Sequence, residues 1–255
     1  MKVLKLVFLL PLLTAFQAFA GNNMSYYKTD VTVDGQNTEW KSPLPRYNKI
    51  AGINFDVAND ERNLYLIVRV TDTTSIRQVQ QNGLEVWINK DGKKKNTTGI
   101  TYPMAPDKPK AGARYRTQNL KTPDGFSLNI NELMLTGFLL ENGRQPVKGC
   151  PVKVAIKKDS SNCLVYELAI PFNTFYKEKL EKEDLKYKFY IGFVVKGVTV
   201  DMDAAPGIVM SRMAMGGGFP GGDGPRMGGM GMAGIMSMMG DMDKLCWQKI
   251  QLVLK

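Results

Sequence analysis

The strongest constraint on the fold is a period-two alternation that returns in short runs along the chain. Asn63 to Val70 reads Asn-Leu-Tyr-Leu-Ile-Val-Arg-Val. Successive side chains of a strand point to opposite faces, so Leu64, Leu66, Val68 and Val70 fall on one side and Tyr65, Ile67 and Arg69 on the other. Leu84 to Asn89 repeats the pattern, with Leu84, Val86 and Ile88 against Glu85, Trp87 and Asn89. Ile53 to Val57, Val152 to Ile156, Leu164 to Ile170, Phe189 to Val195 and Ile250 to Leu254 are similar runs. They are rich in β-branched and aromatic residues and bounded by Gly, Asn, Asp or Pro, which predicts an all-β fold, a sandwich or a barrel. The one stretch with a helical look is Asn173 to Leu185. It follows Pro171, carries Phe175, Tyr176, Leu180 and several Glu/Lys pairs, and predicts a turn or two of helix.

The two ends of the hydropathy pattern differ from this middle. Lys2 and Lys5 precede an apolar stretch from Leu6 to Phe16, and Ala18-Phe19-Ala20 fits the small-x-small rule of signal peptidases. Residues 1–20 are therefore expected to be a cleaved leader, and residues 21–255 a single exported domain, periplasmic or extracellular. The apolar run is short of the ~20 residues that a membrane-spanning helix needs, and no later segment is expected to span. Between residues 210 and 243 the composition changes again: ten of the fifteen methionines fall between Met210 and Met242, among many glycines. Glycine at that density does not order cheaply in a strand or helix, so this stretch reads as a long insertion. Cys246 to Leu254 follows it as a closing strand.

Several chemistries are excluded by composition. The chain holds no histidine, which removes Ser-His-Asp and Cys-His catalysis, His-ligated zinc and His-ligated haem. Cys150, Cys163 and Cys246 offer no Cys-x-x-Cys spacing. If Val152–Ile156 and Leu164–Ile170 form a hairpin, Cys150 and Cys163 lie roughly 20 Å apart along it, beyond the ~7 Å Cα separation that a disulfide tolerates. The formal net charge is +10, and +8 once Lys2 and Lys5 leave with the leader. Lys93, Lys94, Lys95, Lys108, Lys110, Arg114, Arg116 and Lys121 face only Asp107 in their stretch. Such a field suits acidic surfaces or anionic polymers, yet no nucleic-acid-binding module accompanies it. Glu85 and Glu167 fall in strands, but nothing pairs them as the two carboxylates of a glycosidase, so a binding protein is expected rather than an enzyme.

Four segments, in order, carry a resemblance. Val33-Asp34-Gly35-Gln36-Asn37-Thr38-Glu39-Trp40 is similar to the opening motif of family 9 carbohydrate-binding modules (CBM9) and the wider DOMON-like sandwich group. Asp60 to Leu66, running on to Val70-Thr71-Asp72, resembles the next strand of that group. Glu85 to Asn89 with Asp91-Gly92, and Glu167-Leu168-Ala169-Ile170-Pro171-Phe172, resemble two later ones. The resemblance implies an antiparallel β-sandwich with one short helix. In its carbohydrate-binding members it implies sugar held on aromatic side chains, often with structural calcium, and in some DOMON-like members it implies haem. The Met/Gly insertion departs from the group, and no hydrolase domain accompanies the motifs.

The candidate ligand residues are Trp87, Glu85 and Asn89 on one strand face, with Tyr102 and Tyr115 near the basic stretch. An indole beside amides and carboxylates suits a pyranose, which offers an apolar face to the ring and hydroxyls to the polar groups. The same Trp also suits packing between layers, and both readings stay open. Trp40 and Trp247 read as core. Asp201 and Asp203 are the densest acid pair for calcium. Met230, Met232, Met236 and Met239 bring soft thioethers together, a donor set that favours Cu(I), or else a pliant apolar surface for a protein partner. Haem would need Met and Lys as its axial ligands.

Overall fold

The computed structural model describes residues 24–104, 129–197 and 243–255. The expected leader, residues 1–20, and the Met/Gly stretch up to Met242 therefore lie outside the described residues. In chain order, β1 spans Tyr26–Tyr27, β2 Arg46–Asn48, β3 Ile53–Asn59 and β4 Asn63–Val70. Helix α1 (Thr73–Asn82) is followed by β5 (Leu84–Asn89), β6 (Thr98–Tyr102), β7 (Glu132–Thr136) and β8 (Gly143–Pro146). Then come β9 (Lys153–Lys158), β10 (Leu164–Pro171), β11 (Lys188–Val195) and β12 (Lys244–Gln251).

These strands form two six-stranded sheets. The first runs β1-β3-β4-β10-β9, with β2 also paired to β3, and the second runs β12-β11-β5-β6-β7-β8. Every strand pair is antiparallel except β1 with β3. The expected all-β sandwich is the fold observed. Its core is built by the alternation seen in the sequence. Leu64, Leu66, Val68, Leu164, Tyr166 and Leu168 from the first sheet meet Leu84, Val86, Ile88, Ile100, Phe189 and Phe193 from the second. Phe55 packs on Phe193 across the layers with ring centroids 4.8 Å apart.

The outward side of β4 and β10 is buried as well. Tyr65, Ile67, Val165 and Ala169 form a second apolar cluster with Trp40 and Leu44, flanked by Val31 and Val33. The segment before β2 thus lies over the first sheet. It is tied down by Glu167, a fully buried carboxylate. Trp40 Nε1 donates to Glu167 Oε1 at 2.7 Å, and the N–H groups of Asp34 and Gly35 donate to Oε2 at 3.0 and 2.8 Å. Burial pushes the Glu167 carboxyl above its usual range, while these three donors pull it back. Trp40 is core, as its sequence context indicates.

Two local features depart from expectation. Asn173–Leu185 is not one helix but a pair of 3-10 turns, Phe172–Thr174 and Lys182–Lys186. Phe172, Phe175 and Leu180 are all drawn into the core. The N–H groups of Phe172 and Leu180 donate at 2.7 Å to the carbonyls of Arg62 and Glu61, outside any helix. The real helix is α1. Asp72 caps it, accepting from Ser75 N at 2.8 Å, and the chain leaves it at Gly83 with φ +77°. Val79 joins the core and Ile76 packs against it.

β9 and β10 form the expected hairpin, closed by the Asp159 N–H donating to the Cys163 carbonyl at 2.9 Å. Cys150, Cys163 and Cys246 are all free thiols. No helix among the described residues is long and apolar enough to cross a membrane. Both long intervals outside the description start and end on bonded neighbours. Met104 and Asn129 exchange N–H···O bonds of 3.1 and 2.9 Å, and Gly197 N–H donates to Asp243 Oδ1 at 2.8 Å.

Replacing Trp40 by Phe keeps most of the ring and withdraws one donor from buried Glu167. An orphaned buried acceptor costs about 1–3 kcal/mol. Trp40→Phe should therefore lower the unfolding free energy by that amount, seen as a lower urea midpoint at unchanged slope. An unshifted midpoint would show that the Glu167 anchor carries no stability.

Candidate functional site

The outward face of the second sheet has a composition of its own. Glu85, Trp87 and Asn89 point that way from β5, as the alternation predicts. Trp87 pairs across the sheet with Gly192 on β11 and Gly99 on β6, Gly192 pairs in turn with Trp247 on β12, and Gly99 pairs with Thr136 on β7. One row across five strands thus reads Trp247, Gly192, Trp87, Gly99, Thr136. The rings lie on the glycines. A methyl group added at Gly99 would fall 2.8 Å from Cη2 of Trp87, and one at Gly192 2.8 Å from Cζ3 of Trp247. Neither separation leaves room for a real side chain, so glycine is required here for close approach. Each indole shields a bare stretch of strand backbone, and both remain partly exposed. By strand spacing the two rings are about 10 Å apart across the sheet.

Glu85 fixes the orientation of Trp87. Its Oε2 accepts from Trp87 Nε1 at 3.1 Å, and its Oε1 is held by Lys196 Nζ at 2.6 Å. The carboxylate retains lone pairs for further donors.

Two residues further along the strands, about 7 Å away, the face runs into a cleft. Lys90, Asp91, Gly92, Tyr176, Lys186, Tyr187, Lys188, Tyr190 and Lys249 line about 620 Å³ of space. Tyr190 pairs with both Lys249 and Asn89, so the cleft and the tryptophan row share one surface. The turn after β5 forms one wall, and Asn89 shapes it. Its Oδ1 accepts from the N–H groups of Asp91 and Lys93, both at 3.0 Å, while its Nδ2 donates to the carbonyl of Lys95 at 3.2 Å. Asn89 is 1% exposed. Its amide is spent on the turn, where it holds the Lys90–Gly92 segment in place.

Tyr102 is corrected outright. It is 4% exposed and lies in the core, 5.9 Å from the Tyr166 ring, with its hydroxyl donating to the Ile130 carbonyl at 3.1 Å. Burial pushes its phenol up to about 12. It follows Ile100 at period two and so shares the inward face. Trp247, read from the sequence as core, lies instead on the outward face beside Gly192. Tyr115, Asp201, Asp203, Met230, Met232, Met236 and Met239 lie outside the described residues. Among the described residues no group of three or more Cys, Asp or Glu side chains is placed to hold a metal ion. Sequence reading missed Trp247, Tyr187, Tyr190, Lys188 and Lys249 as site residues. The available signal was glycine inside two strand patterns, at Gly99 and Gly192, which marks a close approach.

Gly99→Ala tests the platform directly. The atoms in the way belong to the end of the Trp87 side chain, so the indole should swing off the sheet while the strand holds. The expected outcome is a changed near-UV circular dichroism and Trp emission with a melting temperature shifted by only a few degrees. Identical spectra would show that the ring does not lie on Gly99.

Neither a family model nor a curated protein matches the sequence. Among solved structures the chain is similar to a carbohydrate binding module family 9 (CBM9) from Caldicellulosiruptor kristjanssonii in complex with cellotriose. The identity is 10%, the TM-score 0.32, and the match covers 68% of this chain and 75% of that chain. It is also similar to a CBM9 structure from the same organism in complex with glucose, at 13% identity and a TM-score of 0.30, over 71% of this chain and 79% of that chain.

Proposed function

We propose that this is an exported, non-catalytic protein of the periplasm or extracellular space that binds carbohydrate or a related cell-envelope polymer on the outward face of the second sheet. The observation that carries the reading is the Trp247–Gly192–Trp87–Gly99 row. Two indoles set on glycines form rigid apolar patches at the surface, with a carboxylate at Glu85 and hydroxyls at Thr101 and Thr136 beside them. A pyranose presents complementary chemistry: C–H groups on one face for stacking, hydroxyls around the rim for polar partners. Rings already held by packing lose little freedom on binding, which favours affinity. The strand acids Glu85 and Glu167 sit on different sheets and each is committed to an indole, which supports binding rather than hydrolysis.

The test is a glycan array followed by titration calorimetry on the tightest hit. Trp87→Ala and Trp247→Ala should each weaken binding by roughly 30-fold, the loss expected for truncating a central Trp anchor. Trp40→Phe should leave affinity unchanged. Equal affinities for all three variants, or a folded protein with no hit on a broad array, would sink the reading.

A further inference from the structure

The cleft beside the tryptophan row has a charge that a neutral sugar does not explain. Four lysines, Lys90, Lys186, Lys188 and Lys249, line it against one carboxylate, Asp91. Asp91 is occupied, since its Oδ1 takes Lys90 Nζ at 2.9 Å. Lys186 Nζ sits 5.1 Å over the Tyr187 ring. Among the described residues, Lys186, Lys188 and Lys249 form no ion pair with a carboxylate. The turn that forms one wall goes on to Lys93, Lys94 and Lys95, all exposed. Like charges gathered without counter-charges repel one another, and the repulsion is relieved when an anion enters. The setting is also aromatic, with Tyr187 and Tyr190 among the lysines. Stacking surface and ammonium groups together match a sugar ring that bears an acid.

We infer that the polymer bound on this face is an acidic polysaccharide, whose carboxylate or sulfate groups lie among Lys186, Lys188 and Lys249 while neighbouring rings stack on Trp87 and Trp247. The inference rests on the carbohydrate-binding reading above and narrows its ligand class. Lysine serves either acid, because an ammonium is a point charge without the planar fork that selects a carboxylate. Asp91 then works against the ligand, by neutralising Lys90 and by adding a like charge at the rim.

The experiment measures binding of the full chain to paired polymers. One arm sets polygalacturonate against its methyl ester and alginate against its propylene glycol ester. The other sets dextran sulfate and chondroitin sulfate against dextran and desulfated chondroitin. A single-stranded DNA oligonucleotide serves as a polyanion without sugar acids. At least one acidic member should bind ten-fold or more tighter than its neutral counterpart and than the DNA, and should weaken as salt rises. Which arm responds tells carboxylate from sulfate. Lys188→Gln with Lys249→Gln should weaken that binding at least ten-fold and flatten its salt dependence. Lys148→Gln with Lys158→Gln, the same change of net charge elsewhere on the surface, should leave it within two-fold. Asp91→Asn should tighten it. The inference is overturned, with the carbohydrate reading intact, if a neutral member binds as well as its acidic partner and the Trp87 variant abolishes that binding. Equal or tighter binding to the DNA overturns it in favour of a general polyanion surface. If no polymer binds the folded protein the inference falls, and the carbohydrate reading falls with it only when the broad glycan array is also without a hit.

Discussion

The difference between the two outward faces of this molecule turns on one buried carboxylate. Glu167 has no solvent exposure and gathers the Trp40 indole and two consecutive backbone N–H groups of the segment between β1 and β2. An ionised carboxylate in that position demands donors, since an unpaired one would cost several kcal/mol. Meeting that demand draws residues 31–44 across the outward face of the first sheet and closes it with a second apolar cluster. A sandwich has two outward faces, and the other one is faced with tryptophan, tyrosine, lysine and glycine. The asymmetry between them is chemical before it is functional.

The second sheet then joins two kinds of attraction with different reach. Ring stacking acts only at contact, and it scales with the apolar area that leaves water. The lysine cleft acts over the ~8–10 Å of a Debye length at moderate salt. For the acidic polymer proposed above, charge would govern encounter and register, and the rings residence. Glu85 links the two at the level of geometry: it holds Trp87 through the indole N–H and is itself held by Lys196.

How much of this could be read from the sequence depended on the range of the interaction. Strands were legible because alternation is local: the inward sets of β4, β5, β10 and β11 are the ones that the pattern assigns. The shared face of Glu85, Trp87 and Asn89 was legible for the same reason. The burial of Asn89 was not, because it comes from a turn whose N–H groups converge on one amide. Helix α1 was missed because its residues are mostly polar and its buried face amounts to little more than Ser75, Gln78 and Val79, despite the clear cap at Asp72 and stop at Gly83. The turn or two of helix expected after Pro171 took the form of two separate 3-10 turns, because Phe172 and Leu180 give their N–H groups to the Glu61–Arg62 turn. The platform was the least legible feature. Residues 87, 99, 192 and 247 meet only through strand register, which no single stretch encodes. Only the two strand glycines hinted at it.

The paired ends of the intervals 105–128 and 198–242 bear on how such a chain can change over generations. Met104 is bonded to Asn129, Gly197 to Asp243, and Val195 stands opposite Lys244 in the β11–β12 ladder. Each interval thus departs from and returns to a stem that the sandwich already holds shut. Closing a connection twice as long adds only about 0.6 kcal/mol. Added length between the stems therefore costs the described strands little.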